Sequence, residues 1–477
     1  MRDWKLSDLE YWEAKIQDKV QEFGLSCFDQ EFEICNHDQM LGYMAYSGIP
    51  SHYSHWSYGK SFEKLKTMYN YGVSGLPYEM VINSDPSIAY LMRDNTLCLQ
   101  ILTIAHVYGH NDFFKNNFTF NTTNPQYIVS RFKAHADQIR SYIEDPSIGV
   151  DRVERILDAA HSLSFQCRRN LAIKKLTPSE DKQRLLDTLQ PKSDPFRLLT
   201  PKQDEIAAIE IGKVPVSPEE DILLFIRDYN PFLADWEKNL LTIVHEEAQY
   251  FIPQIETKIM NEGWASYWHH KIMNSLDLPQ DLYLEFIVRH NQIVRPIKGS
   301  LNPYNVGLKV WENIRERFDN PTGDDLTERG LKPGQGLNKM FEVRSADRDV
   351  SFLRRFLTED LMRELNLIRY EVDDDGDIVI SDVSDKDGWK KVKNELLQNI
   401  GISSFPVIRI TDAGYITGNR TLQLEHAFDG RTLNLEYAAK TIQHIHALWG
   451  QEVILTTTIN GDEISIKYSK NGLVVEQ

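Results

Sequence analysis

The feature that most constrains this chain is an apolar, helix-like run from Ile88 to Phe114 that carries two histidines, His106 and His110, four residues apart. With about 3.6 residues per turn, both imidazoles project from one face, one turn apart. That is the spacing of metal ligands on a helix. Far downstream, Asn261-Glu262-Gly263-Trp264-Ala265-Ser266-Tyr267-Trp268-His269 carries a carboxylate and an imidazole seven residues apart, again on one helical face. The two segments are expected to meet.

Two neutral imidazoles at i and i+4 bind one divalent cation, with zinc the first expectation. Glu262 is the natural third ligand, because a charge inside an apolar and aromatic helix is hard to bury without a cation. His269 would complete the ligand set or orient a bound water, and Gly109 would let another helix approach closely. The competing expectation is structural, with core histidines, a helix-surface Glu262 and a surface His269 beside His270. The Asn-Glu-Gly-aromatic-Ala core is similar to the helix that supplies the third zinc ligand in gluzincin metallopeptidases. One departure matters: the position after the first histidine, a glutamate in HExxH enzymes, is Val107. The missing carboxylate would then come from Asp112, Glu256 or the His245-Glu246-Glu247 segment, with Glu262 counted among the catalytic residues as the ligand beside the bound water. His245 is set aside as a ligand, because no second histidine follows it.

A second cluster, Glu154, Asp158 and His161, copies the carboxylate-x-x-His spacing of di-iron bundles and would allow a dinuclear site if its helix faced His106. Ordinary polar pairs along a helix are the readier explanation, which leaves the cluster second to the His106 site. Tyr53, Trp56, Trp264, Tyr267 and Trp268 could stack on sugar rings, although aromatics at helical spacing are usually packing.

Organisation follows from periodicity and punctuation. Helices are expected over Leu6 to Phe23, Pro125 to Tyr142, Val150 to Lys174, Asp235 to Phe251 and Ile255 to Leu276, with Pro253 separating the last two. Tyr46 to Val81 shows no period and reads as a long ordered loop over a cleft. Gly/Pro punctuation over 321–340 marks a linker between a mainly helical core domain, 1–320, and a smaller α+β domain, 341–477. There, Ile378-Val379-Ile380, Val407 to Ile410, Val453 to Thr458 and Ile464-Ser465-Ile466 read as strands, with a helix from Leu433 to Trp449. The fold class expected is a mostly α N-terminal domain, with a zincin-like or helical-bundle metal site, followed by that α+β domain.

Bulk properties narrow the partners. The 477 residues are 41% hydrophobic, and the net charge of −17 argues against nucleic acid, which needs clustered Lys and Arg. No apolar run has the roughly 18 residues of a transmembrane helix, and the N-terminus lacks the apolar core of a secretory signal, so a cytoplasmic location is expected. Cys27, Cys35, Cys98 and Cys167 form no Cys-x-x-Cys pair.

His106-x-x-Gly109-His110-Asn111-Asp112-Phe113-Phe114, Pro253-Gln254-x-Glu256-Thr257-Lys258-x-Met260-Asn261-Glu262-Gly263-Trp264-Ala265 and Asn302-Pro303-Tyr304 together resemble the stage V sporulation protein R (SpoVR) family along essentially the whole chain. The resemblance implies a role in forming the spore cortex, a modified peptidoglycan layer, and extends to proteins of bacteria that do not sporulate. It implies no settled activity. The residues favour a metal-dependent hydrolase acting on an amide in a peptidoglycan precursor or a protein. The alternatives are a non-catalytic assembly factor whose C-terminal domain recruits a protein partner, and a carboxylate-bridged di-metal redox protein.

Overall fold

Where the sequence reads as one long apolar helix, the chain builds a strand, a turn and then a helix. This is seen in a computed structural model that describes residues 4–71, 79–169, 175–189, 212–297, 300–327, 330–367, 370–372, 378–380 and 386–476. In chain order the first elements are α1 (Leu6–Glu22), β1 (Gln30–Cys35), α2 (His37–Ala45), α3 (Trp56–Asn70), β2 (Glu79–Ile82), β3 (Ser87–Met92), α4 (Leu97–Asn116) and α5 (Ile128–Glu144). Then come α6 (Val150–Ser162), α7 (Pro178–Leu189), α8 (Ile222–Tyr229), α9 (Asp235–Glu256), α10 (Lys258–Ser275), α11 (Gln280–Ile293), α12 (Pro303–Asp319), α13 (Asp324–Thr327), α14 (Gly336–Ala346), α15 (Asp349–Phe356) and α16 (Glu359–Glu364). The chain closes with β4 (Tyr370–Val372), β5 (Ile378–Ile380), α17 (Lys386–Gln398), β6 (Ile408–Asp412), β7 (Leu422–His426), α18 (Leu435–Trp449), β8 (Val453–Ile459), β9 (Asp462–Ser469) and β10 (Gly472–Glu476).

These elements fall into two compact units, residues 1–138 with 250–404, and residues 139–249 with 405–477. The division differs from the expected linker at 321–340, because α14 begins inside that segment and packs on α12 and α4. Gly/Pro punctuation there marks turns between packed helices.

In the first unit β3 lies between β1, parallel to it, and β2, antiparallel. A central strand covered on both faces is apolar throughout, which is why Ile88 to Met92 could not be told from helix by periodicity. Thr96 then starts α4 by accepting from the Leu99 N–H. From Gln100 to Phe114 every residue of α4 is buried, as expected of a helix that is apolar all round.

Helix α10 is buried over most of its length, with Lys258, Lys271 and Asn274 exposed, and packs between α4 and α12. Small residues set both approaches. A Cβ on Gly109 would lie 2.6 Å from Ala265 Cα, and one on Gly263 would lie 2.2 Å from the Gly307 carbonyl carbon. Only glycine permits backbones this close. Trp264, Trp311 and Phe352 fill the remaining space, with ring centroids 4.9 and 4.7 Å apart, and Trp311 donates to the Met260 carbonyl.

Two local expectations change. Pro253 lies within the last turn of α9, and the break falls at Thr257. The physical reason is tertiary: buried Asp349 accepts from the Ile259 and Met260 N–H groups at 2.9 and 2.8 Å, so α10 takes its cap from another helix. The stretch read as a loop from Tyr46 contains α3 and ends on β2.

The second unit holds a five-stranded sheet in the order β10-β9-β8-β7-β6, antiparallel except for β7 and β8. Helix α18 makes the crossover between those two parallel strands and packs on β8, β9 and α6. This is the α+β region expected at the C-terminus. Among the described residues no helix is long and apolar enough to cross a membrane.

Candidate metal centre

Four side chains from three elements converge. His106 and His110 descend from α4, Glu262 from α10 and Glu79 from the first position of β2, and one ligand atom from each lies within 4.8 Å of all the others. His106 Nε2 is 3.0 Å from a Glu79 oxygen and 3.7 Å from a Glu262 oxygen; for His110 Nε2 the distances are 3.5 and 3.4 Å. A tetrahedral ion with bonds of about 2.0–2.1 Å needs ligand edges of roughly 3.3 Å. The four distances scatter around that value.

Burial sharpens the point. His106 is wholly buried, His110 and Glu79 nearly so, and the Glu262 side chain is 18% accessible, so solvent reaches the group on the Glu262 side. Glu79 Oε2 and Glu262 Oε2 are buried without a hydrogen bond. Glu262 Oε2 lies within ion-pair reach of both imidazoles, yet no ring N–H is aligned with it. An unsatisfied buried carboxylate oxygen is costly, and a cation removes the cost.

The charges act in the same sense. Burial would pull His110 down, but the Glu262 and Glu79 carboxylates push it up to about 10. Burial would raise both glutamates, but the two imidazoles hold them below the usual carboxylate range. The pocket favours a positive charge at its centre, whether a proton or a metal.

The far sides of the imidazoles are also held. His110 Nδ1 lies 2.8 Å from Asn261 Oδ1, a carbonyl oxygen that accepts, which places the ring proton on Nδ1 and turns Nε2 toward the cluster. His106 Nδ1 lies 2.7 Å from His269 Nδ1, and His269 Nε2 lies 2.8 Å from His290 Nδ1. Burial and neighbouring rings hold His269 well below its ordinary range and His290 down to about 4, so both are neutral.

Residues 3–405 match the family model described as SpoVR like protein, and residues 406–460 match the SpoVR-like C-terminal domain. The chain belongs to the SpoVR family. It is 31% identical over 474 residues to "Uncharacterized protein YcgB" of Escherichia coli (strain K12), covering 95% of this chain and 92% of that protein. No solved structure matches it. In this SpoVR chain the resembling motifs surround the cluster: Asn111 ties α4 to Phe28 and Gln30, Asn302 caps α12, and the Tyr304 ring lies 6.0 Å from that of His106.

Several expected site residues stand elsewhere. Asp112 lies away from the cluster: both of its oxygens take the Arg344 guanidinium at 2.7 Å, and it also accepts from Trp264 Nε1 and Ser26 N–H. Glu256 takes Arg348 at 2.9 Å. His269 sits behind His106, outside the cluster, because an i+7 residue is two turns from Glu262 on a helix running past α4. Glu154, Asp158 and His161 lie on α6, in the other compact unit and outside the metal-capable group. Among the described residues no second such group supports a di-metal centre. Val107 is fully buried, and Tyr53, Trp264, Tyr267 and Trp268 are core; of the aromatics considered for sugar stacking only Trp56 is exposed.

Glu79 escaped sequence reasoning. Its one signal is an acidic residue opening the apolar run Met80-Val81-Ile82, at the end of the segment that shows no period.

Proposed function

We propose that this SpoVR protein is a metal-dependent, hydrolase-like enzyme of spore cortex formation, working in the cytoplasm on an amide in a peptidoglycan precursor or a protein. His106, His110, Glu79 and Glu262 hold one divalent ion, zinc being the first candidate for a site of two imidazoles and two carboxylates. The observation that carries this is the convergence of four ligand atoms on one point, with the buried Glu262 Oε2, left without a hydrogen bond, 3.7 and 3.4 Å from the two Nε2 atoms. Bound there, the ion would supply Lewis acidity and a more acidic water.

The protein's own residues set the rest. Asn261 fixes the His110 ring, and the packing of α4 on α10 at Gly109 fixes the separation of the histidines from Glu262. With Asp112 and Glu256 engaged by arginines, proton acceptance falls to Glu262, the most accessible of the four.

A rival reading has its own support. Four protein ligands, mostly buried, resemble a closed structural site more than one with an open position, which would suit a non-catalytic cortex assembly factor with a protein partner at its C-terminal domain. Metal analysis of purified protein, with hydrolysis assays on peptidoglycan precursors, separates the two. One bound ion with hydrolysis abolished by Glu262→Gln supports the enzyme. One ion with no hydrolysis under any loading supports the assembly factor, and no ion sinks both forms of the metal site.

A further inference from the structure

Behind His106 runs a file of imidazoles. His106 Nδ1 meets His269 Nδ1 at 2.7 Å, and His269 Nε2 meets His290 Nδ1 at 2.8 Å. His269 is wholly buried and His290 is 8% exposed. Each contact has nitrogen on both sides, so one ring must donate and the other accept. Two neutral rings can satisfy this in either direction, and what stands at the head of the file chooses.

We infer that His269 and His290 are positioning residues that lock His106 as an Nε2 ligand; this rests on the metal-site reading above. If Nε2 of His106 presents its lone pair to an ion, its proton is on Nδ1 and is donated to His269 Nδ1. His269 then carries its proton on Nε2 and donates it to His290 Nδ1, so one polarity runs through all three rings. Metal-bound histidines usually make this outer hydrogen bond to a carboxylate, carbonyl or water. An imidazole acceptor orients His106 equally well and adds no charge. The difference matters because the site already buries two carboxylates, which balance a divalent ion, and a third would leave net negative charge in the core.

The test uses the full-length protein and Co²⁺, whose visible absorption reports ligand geometry. In His269→Asn the side-chain oxygen stands near the place of Nδ1 and can still accept from His106, whereas His269→Leu keeps bulk without an acceptor. The expected result is a loss of about 10–100-fold in Co²⁺ affinity with an altered spectrum for His269→Leu, and a loss within about threefold for His269→Asn. His290→Leu, one ring further out, should weaken binding by less than His269→Leu. Thermal unfolding of the metal-free proteins controls for folding, since both His269 variants lose the same link to His290. Equal affinities and spectra for wild type and His269→Leu would overturn the assignment, as would Asn and Leu variants that lose affinity equally and in step with metal-free stability. Wild-type protein that takes up no Co²⁺ would overturn the metal site itself, a result distinct from either.

Discussion

Two histidine and carboxylate arrangements, one in each compact unit, have similar composition and opposite character. In the second unit His245 Nε2 meets Asp221 Oδ2 at 2.8 Å, while Asp221 Oδ1 accepts the Leu224 N–H and caps α8. Every oxygen of that carboxylate has a donor. In the first unit Glu262 Oε2 is buried without a hydrogen bond although both imidazole Nε2 atoms stand 3.7 and 3.4 Å away, and Glu79, whose Oε1 faces the same imidazoles, keeps a buried Oε2 without one as well. The lesson is that proximity of His to Asp or Glu does not mark a cation site. Unmet acceptor capacity converging on one point does.

The largest test of that contrast is metal uptake. His110→Ala or Glu79→Gln should lower zinc affinity by about 100-fold or more, while His245→Ala and Asp221→Asn should leave it within about twofold, as read by calorimetry with elemental analysis. Equal losses at both places would erase the distinction. Next in size, zinc at about 100 times the wild-type dissociation constant should stabilise wild type by about 2.7 kcal/mol, reversed by chelation and cut to about 0.4 kcal/mol or less in Glu79→Gln. A thermal shift that persists in that variant would move the ion elsewhere.

The pH dependence has a definite sign. His110, raised to about 10 in the folded protein, stabilises the metal-free fold fully below about 6.5 and loses that contribution as pH rises toward 10. Glu262, held low, stabilises above about 4.5 and loses its contribution as pH falls. Zinc must displace the His110 proton, so its affinity should climb between about pH 6.5 and 10, by up to tenfold per unit, with about one proton released per ion. Affinity that falls over this range would contradict the arrangement. The smallest effect belongs to the satisfied pair: Asp221→Ala should cost about 1 kcal/mol as a lost helix cap, measured by chemical denaturation, with zinc binding intact.

Of the helices around the site, α1 was legible because its period is strong, and α10 because its run from Ile255 to Leu276 is too long for a strand. The strand β3 was not, since a central strand and a buried helix share the same apolar run. Nor was the cap that Asp349 gives α10, since the two are distant in sequence.

What the sequence determined by itself was local: His106 and His110 share a face because the helical period requires it, and Glu262 stands out because a charge in an apolar helix needs a reason. Only the tertiary structure brought in Glu79 and moved His269 behind His106. Those outcomes depend on how closely α4 and α10 approach at Gly109 and Ala265 and on where β2 begins beside them. Distances between elements are set by packing across the core, which no local period encodes.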